Sequence, residues 1–262
     1  MLEINYKTKI LGIVGENISY TLSPAIHNFS FQKLGINAVY LAFDIRREDF
    51  DIAFKGLLKL AYGLNVTIPY KEIAVKYVKA NEEVERIGAL NTIFNDQGYN
   101  TDYLAIKSLV IEKGIDKIKN CTIFGAGGAS RAAAFALADL GCSINIINRS
   151  LERAEKLVSE LKEKNVHTML NMGCDNSDVI VNSTPNPDFV PDKCVRGKLV
   201  IDFVYKPIIT SLIKRAEVRR IKTINGLEIL VRQAMEAEKI WFGKSLDDEE
   251  VVKYLYARKL VW

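Results

Sequence analysis

Along the chain, short apolar runs typical of strands alternate with segments whose apolar residues have helical spacing. The middle third shows this alternation most clearly. Four short apolar runs predict strands, at 121–124, 144–147, 179–182 and 199–203. Between them, the Ala-rich segment 129–140 and the charged segment 151–163 predict helices. Strands that alternate with helices form parallel sheets, so this region predicts a βαβ fold.

The flanking segments predict a second lobe of α/β type. Four strand-like runs come first, at 10–14, 39–43, 64–68 and 92–94. A helix at 101–113 then leads into the middle region, and Gly114 ends it. Two further helices, at about 227–242 and 247–259, are not needed to complete the middle sheet. We expect them to return to the first lobe.

Composition excludes several classes of protein. The 262 residues carry 36 Lys plus Arg against 32 Asp plus Glu, a net charge of +4 without a basic block, so neither a nucleic-acid partner nor a membrane surface is predicted. The chain shows no secretory signal and no apolar stretch of ~18 residues, which favours a cytoplasmic protein. We expect neither a metal site nor a disulfide framework, because no CxxC pair occurs among Cys121, Cys142, Cys174 and Cys194.

A glycine-rich turn joins the first strand of the middle region to its helix. Backbone amides at a helix start can bind a pyrophosphate, and glycines allow its close approach. The predicted dinucleotide site consists of Gly125, Ala126, Gly127, Gly128 and Ala129. Ser130 replaces the third glycine of the usual pattern and is small enough to be tolerated. An ordinary glycine-rich turn of an α/β protein is the alternative.

The residues after the second strand of this region favour NADP over NAD. An NAD site places a carboxylate there to bind the ribose 2′-hydroxyl. This chain has instead Asn148, Arg149 and Ser150, with Arg153 one turn into the next helix. A guanidinium binds a 2′-phosphate through paired hydrogen bonds, whereas a carboxylate would repel it. The alternative is that both arginines form the solvated start of a charged helix.

Short polar clusters recur along the whole chain. In the predicted first lobe and the last helices they occupy 21–28, 63–71, 88–92, 98–102 and 226–234. In the middle region they occupy 125–129, 148–150, 182–185 and 202–207. Together and in this order, they resemble the shikimate dehydrogenases. The resemblance implies NADP-dependent interconversion of 3-dehydroshikimate and shikimate, a step toward chorismate and the aromatic amino acids.

The resemblance also implies roles for individual residues. Lys71 and Asp102 match the family's catalytic pair. Substrate contacts carry over to Thr21, Ser23, Asn65, Thr67, Asn91, Tyr205 and Gln233, and Thr21 stands where a serine is usual. Thr184 and Gly226 match positions near the nicotinamide.

A lysine and a carboxylate suit this chemistry because the cofactor itself supplies the hydride. A charged Lys71 can polarise the ketone and protonate the developing alkoxide, while Asp102 holds the ammonium. Alcohol oxidation needs the neutral amine, so alkaline pH should favour it. Lys71 follows Pro69 at a predicted helix start, where a cation is unfavourable, and this placement indicates a functional use. The alternatives are a solvated Lys71 and an Asp102 that only caps a helix.

Other candidate residues also have plain structural interpretations. Asn65 and Thr67 share one face of the predicted strand 64–68, which should line a cleft unless it is the exposed face of an edge strand. Thr21 and Ser23 also fit the start of a helix with Pro24 in its first turn. We expect His27 to be structural because no acidic residue lies beside it in the sequence.

The predicted fold is therefore a two-lobed α/β protein. Residues 103–225 form a Rossmann-like NADP-binding domain, and 1–102 with the C-terminal helices of 226–262 form a discontinuous α/β substrate-binding domain. A small-molecule substrate is expected as partner, and a monomer and a homodimer are both open. The alternatives are a quinate/shikimate dehydrogenase that also uses NAD, and a nonenzymatic NADPH-binding sensor.

Overall fold

The computed structural model describes residues 4–115 and 117–261. Its described residues pack into two units, one formed by 4–101 with 231–260 and the other by 102–230 with 261. We expected the divisions at 102/103 and 225/226, whereas they fall at 101/102 and 230/231, inside helices α4 (Thr101–Glu112) and α8 (Gly226–Phe242). The predicted α/β class is confirmed. Within the described ranges, no helix is long and apolar enough to span a membrane.

A mixed sheet forms the centre of the first unit. Its described strands are β1 (Lys9–Gly15), β2 (Ala38–Asp44), β3 (Gly63–Val66), β4 (Lys79–Ala80), β5 (Thr92–Phe94) and β6 (Gln97–Tyr99). They are hydrogen-bonded in the order β2-β1-β3-β5-β6-β4. β1 pairs in parallel with β2 and β3, whereas β5 is antiparallel to β3 and β6. β3 is therefore an interior strand.

Helices cover this sheet and bury its apolar side chains. They are α1 (Ser23–Leu34), α2 (Phe50–Leu60), α3 (Glu82–Ile87), the later part of α8, and α9 (Asp248–Ala257). Trp241 of α8 is buried beside Phe31 and Tyr40, and its indole N–H donates to the Ile93 carbonyl at 3.1 Å. A Cβ on Gly63 would lie 2.5 Å from the indole nitrogen, so this approach requires glycine. The end of α8 is thus held against the first sheet by the contacts of Trp241 with β3 and β5.

The second unit contains a parallel sheet. Its described strands are β7 (Asn120–Phe124), β8 (Ser143–Ile147), β9 (Thr168–Leu170), β10 (Val179–Asn182), β11 (Leu199–Asp202) and β12 (Lys222–Ile224). Helix α4 from Asp102 onward belongs to the same unit, as do α5 (Gly128–Asp139), α6 (Leu151–Glu163) and α7 (Ser211–Val218). In the strand order β12-β11-β10-β7-β8-β9, the chain adds β8 and β9 on one side of β7 and β10 to β12 on the other side. This is the dinucleotide-binding order, with its switch point between β7 and β10.

Two disulfides occur in the second unit, so the expectation that the cysteines form no disulfide framework is wrong. Cys121 of β7 pairs with Cys142, which directly precedes β8, and Cys174 pairs with Cys194. The Cα–Cα distances are 5.9 and 5.4 Å, as a disulfide requires. For the first bridge, parallel pairing of β7 with β8 brings the two cysteines together. Spacing rules based on CxxC do not detect cysteines that approach through the fold.

Candidate functional site

Buried polar side chains from separate segments of the first unit form one hydrogen-bonded group, which we call the amide cluster. Its members are Asn65, Asn91, Thr92, Thr101 and Gln233. Asn65 Nδ2 donates to the Asn91 carbonyl and to Thr92 Oγ1, each at 3.0 Å. Asn91 Nδ2 donates to Gln233 Oε1 at 3.3 Å. The fold therefore brings together three of the residues that the sequence predicts to bind substrate.

Asn91 is the centre of the amide cluster. Its Oδ1 accepts from the Thr101 backbone N–H at 2.7 Å and from the Thr101 and Thr92 hydroxyls at 3.1 Å. Asn91 thereby anchors the start of α4, and the next residue in the chain is the buried Asp102. Sequence reasoning missed Thr92 and Thr101 as site residues, although both lie within the polar clusters.

Ser23 joins this group through a tyrosine. α1 begins at Ser23 with Pro24 in its first turn, as the sequence predicts. Thr21 Oγ1 donates to Ser23 Oγ at 3.3 Å, and the Ser23 side chain hydrogen-bonds the phenol of Tyr40. That phenol donates to Asn65 Oδ1 at 2.5 Å. Tyr40 was not predicted, because a tyrosine on a strand carries no local functional signal.

The segment after β3 differs from the sequence prediction in two respects, the end of the strand and the helix expected at Lys71. β3 ends at Val66, and Thr67 lies half-buried in a turn whose carbonyl accepts from the Tyr70 N–H at 2.9 Å. The Thr67 N–H still donates to the Val14 carbonyl of β1 at 2.8 Å, so pairing with β1 continues one residue past the end of β3, although the predicted strand 64–68 is too long. Lys71 is half-buried and directly follows this turn, and only a short 3₁₀ helix, Ile73–Tyr77, comes after it. The argument from an unfavourable helix dipole therefore fails for Lys71.

His27 has an acidic partner after all. Its Nδ1 lies 2.8 Å from Oε1 of Glu238, which is 211 positions away in the sequence, and both side chains are fully buried. The Ser30 hydroxyl donates to the other carboxylate oxygen of Glu238. Inspection of neighbours in the sequence could not reveal this pair, because α8 returns to α1 only in the fold.

The candidates of the second unit follow the carboxyl ends of its parallel strands. Gly125 comes after β7, Asn148 after β8, Thr184 after β10, Tyr205 after β11 and Gly226 after β12. In a parallel sheet these ends lie at one edge, and ligands bind there at the switch point. Four predicted cofactor residues and one predicted substrate contact, Tyr205, thus follow strands at one edge of the sheet.

The turn between β7 and α5 requires glycine at Gly125. Its φ is +126°, and a Cβ there would lie 2.4 Å from Ser183 Oγ. Gly127, by contrast, is exposed with open space around its Cα. Ser130 accepts from the Gly127 N–H at 3.1 Å and bonds Ser183 Oγ at 2.7 Å, so it braces the turn rather than being merely tolerated. This open, braced helix start fits a pyrophosphate.

Buried polar groups also hold the ends of β10 and β11. Asn182 Nδ2 donates to Asp202 Oδ1 at 3.0 Å, and Asn182 Oδ1 accepts from the Thr184 hydroxyl at 2.8 Å. Burial raises the pKa of Asp202, while the Thr210 hydroxyl, which donates to Oδ2 at 2.6 Å, opposes the rise. These bonds fix the backbone from which Thr184 projects. Sequence reasoning quoted Asn182 and Asp202 within motifs but assigned them no role.

The loop after β11 also fixes the start of α8. A Cβ on Gly226 would lie 2.4 Å from the carbonyl oxygen of Val204, so only glycine fits there. Tyr205, the next residue after Val204, is half-buried. Gly226 thus has a packing requirement of its own, besides the cofactor role that the resemblance implies.

The segment after β8 presents exposed positive charge. Arg149 and Arg153 are exposed, and α6 begins directly after Ser150. Asn148 Nδ2 donates to the Ser150 carbonyl at 3.0 Å, which holds this short turn. Two guanidinium groups near a helix start fit a 2′-phosphate better than a ribose hydroxyl. Among the described residues, no group of three or more His, Cys, Asp or Glu is arranged to hold a metal ion.

Comparison with known proteins identifies the family. The model of the shikimate dehydrogenase substrate binding domain matches residues 13–93, and that of shikimate / quinate 5-dehydrogenase matches 110–196. A shikimate dehydrogenase of Sulfurisphaera tokodaii is 75% identical over 262 residues, which are 100% of both chains. This chain belongs to the shikimate dehydrogenase family. The family predicted from the polar clusters is thereby confirmed.

Two further members of the shikimate dehydrogenase family support the predicted cofactor. The shikimate dehydrogenase (NADP(+)) of Sulfolobus acidocaldarius is 62% identical over 100% of both chains. The crystal structure of shikimate 5-dehydrogenase from Thermus thermophilus, in complex with NADP(H) and shikimate, matches with a TM-score of 0.85. It is 28% identical, and the match covers 97% of this chain and 100% of that one. The names of both relatives carry NADP, which was predicted from the residues after β8.

Proposed function

We propose that this protein catalyses the reversible, NADPH-dependent reduction of 3-dehydroshikimate to shikimate, a step toward chorismate. The observation that carries the proposal is the buried amide cluster, in a chain that belongs to the shikimate dehydrogenase family. A hydroxylated ring needs donors and acceptors at fixed positions, and buried amides supply both. Because Asn65, Asn91 and Gln233 are already bonded to one another, they are held in place before substrate arrives.

The remaining substrate contacts complete this assignment. The hydroxyls of Thr21 and Ser23 bind the substrate carboxylate, and Thr67, Tyr205 and the amide cluster bind the ring hydroxyls. Thr21 keeps the hydroxyl of the usual serine and adds a methyl group, which makes it the position most relevant to the choice between related cyclic acids.

NADP binds at the carboxyl edge of the parallel sheet. The backbone of residues 125–129 binds the pyrophosphate, which the positive end of α5 favours. Asn148, Arg149, Ser150 and Arg153 bind the 2′-phosphate, and Thr184 with Gly226 contacts the nicotinamide. When bound, the cofactor supplies the hydride.

Lys71 transfers the proton, and Asp102 orients the lysine side chain for that transfer. In the reducing direction, the Lys71 ammonium polarises the ketone and protonates the alkoxide oxygen as it forms. Asp102 orients that ammonium and accepts a hydrogen bond from a substrate hydroxyl. In the oxidising direction, the neutral amine of Lys71 takes the proton, so oxidation of shikimate becomes faster as pH rises.

A spectrophotometric assay tests the proposal. Shikimate and quinate are each oxidised with NADP and with NAD, and the absorbance of the reduced nicotinamide is followed. We expect the highest kcat/KM for shikimate with NADP. Higher activity with quinate would instead favour the quinate alternative, since one matched family model covers both substrates. Binding of NADPH without any turnover would indicate the sensor. We further propose a cytoplasmic location, where NADPH is available.

A further inference from the structure

We propose that Tyr40 is a positioning residue for the substrate site, which acts by fixing the Asn65 amide and the Ser23 hydroxyl. The inference rests on the proposed function, because both of these residues belong to the same site. Tyr40 lies on β2, outside every polar cluster found in the sequence, and its side chain is buried.

The phenol connects two predicted substrate contacts. Tyr40 donates to Asn65 Oδ1 at 2.5 Å, while Asn65 Nδ2 donates to Asn91 and Thr92. If the Asn65 amide were turned over, its oxygen would face the Asn91 carbonyl, and two acceptors would meet. The phenol and the Asn91 carbonyl together therefore select one orientation of this amide. Without the phenol hydroxyl, the buried Oδ1 would lose the donor that completes this selection.

Tyr40 itself is held from two sides. Its backbone N–H donates to Asn28 Oδ1 at 2.9 Å, and its carbonyl accepts from Asn28 Nδ2 at 2.8 Å. Its ring stacks on the imidazole of His27, with the ring centroids 4.2 Å apart. His27 and Asn28 end the polar cluster that also contains Thr21 and Ser23, so these otherwise unassigned residues gain a purpose in holding Tyr40.

Glu238 completes the support behind the ring. This carboxylate bonds His27 and Ser30 in a fully buried setting, which fixes the imidazole under Tyr40. Burial first, and the negative charge of Glu238 second, raise the pKa of Tyr40 well above its usual value of 10.0. The phenol therefore remains a donor to Asn65 throughout the alkaline range in which shikimate oxidation is expected to be fastest.

The test compares Tyr40→Phe with Tyr62→Phe. The Tyr62 hydroxyl also bonds a single acceptor in the first unit, the Trp241 carbonyl at 3.3 Å, but this bond lies outside the amide cluster. We expect Tyr40→Phe to raise KM for shikimate about tenfold, the factor for about 1.4 kcal/mol, with kcat and KM for NADP changed less than about twofold. Tyr62→Phe should leave all three near wild type. Equal shikimate KM values in the two variants would overturn the proposal.

A double-mutant cycle shows whether Tyr40 acts through Asn65. If it does, adding Tyr40→Phe to Asn65→Ala raises KM for shikimate little further, because the amide it orients is gone. Effects that multiply independently would contradict the proposed role.

An NMR measurement separates this inference from the proposed function. The side-chain ¹⁵N–H₂ resonances of Asn65 are recorded in the free protein, where no turnover is needed. Tyr40→Phe should shift them clearly, and Tyr62→Phe should not. If the wild type fails to oxidise shikimate while this difference is seen, the function is wrong but the positioning of Asn65 stands. Unchanged Asn65 resonances in Tyr40→Phe would refute the positioning role itself.

Discussion

The two units build their candidate sites in different ways. In the first unit, the site consists of buried side chains that hydrogen-bond one another across distant segments, as Asn65, Asn91 and Gln233 do. In the second unit, it consists of backbone at the ends of parallel strands together with exposed guanidinium groups, as at Gly125 and Arg149. A small hydroxylated substrate and a large anionic cofactor call for these two solutions respectively.

The difference indicates which changes each site tolerates. A buried hydrogen-bonded network is sensitive to the loss of a single polar atom, because the donor or acceptor that bonded it then stays buried without a hydrogen bond. A backbone site depends on glycine where φ is positive or another backbone is near, and exposed charges are screened by salt. The units also differ in covalent cross-linking, since all four cysteines of the chain belong to the second unit.

Replacement of Lys71 by alanine should have the largest effect. The lysine supplies the proton in our mechanism, so kcat should fall about 10³-fold while KM for NADP changes little. Lys76→Ala, five positions further on at an exposed site, is the matched control and should retain normal turnover. Steady-state kinetics in both directions provides the measurement. Near-normal turnover by Lys71→Ala would remove the lysine from the mechanism.

Reduction of the disulfides should destabilise the protein next most strongly. The sequence separations of 21 and 20 residues correspond to about 3 kcal/mol for each bridge. Thermal unfolding should therefore occur at a lower temperature with reductant, by roughly 6–12 °C for each bridge. The double variant Cys121→Ala/Cys142→Ala should show about half of the reductant effect. Mass spectrometry that finds four free thiols in the untreated protein would contradict the bridges.

Gly125→Ala tests the backbone part of the cofactor site. The added methyl would meet Ser183 Oγ at 2.4 Å on a backbone with positive φ, which should lower the free energy of unfolding by about 2 kcal/mol. Gly127→Ala, in open space two residues away, should cost less than about 1 kcal/mol. Urea unfolding of the protein without NADP measures both. Equal losses would show that the turn has no special need for glycine at 125.

Arg149→Ala should have the smallest effect and a selective one. Loss of one guanidinium should raise KM for NADP about tenfold and leave KM for NAD unchanged, because NAD lacks the 2′-phosphate. The effect should shrink at high salt, since Arg149 is exposed. Lys156→Ala, an exposed cation on α6, the helix that follows Arg149, controls for the loss of a general positive charge. An unchanged preference for NADP would assign Arg149 to the solvated surface.

Much of the second unit could be predicted from local patterns. The helix 151–163 and the strand 179–182 have their predicted ends, because the spacing of apolar residues is a local property of the chain. The predicted strand 64–68 is too long because the regular strand ends at Val66, while the alternation of apolar and polar residues continues through Ile68. Periodicity alone does not mark where a strand leaves its sheet.

The amino-acid order alone was sufficient for the α/β class, the glycine turn, the arginines after β8 and the polar clusters that mark the family. Folding was needed to join Tyr40 to Asn65, Glu238 to His27 and Cys121 to Cys142. The physical reason is that local backbone geometry imposes the periods of helices and strands. Contacts between residues 20 to more than 200 positions apart depend instead on strand order and register, which no local window of residues contains.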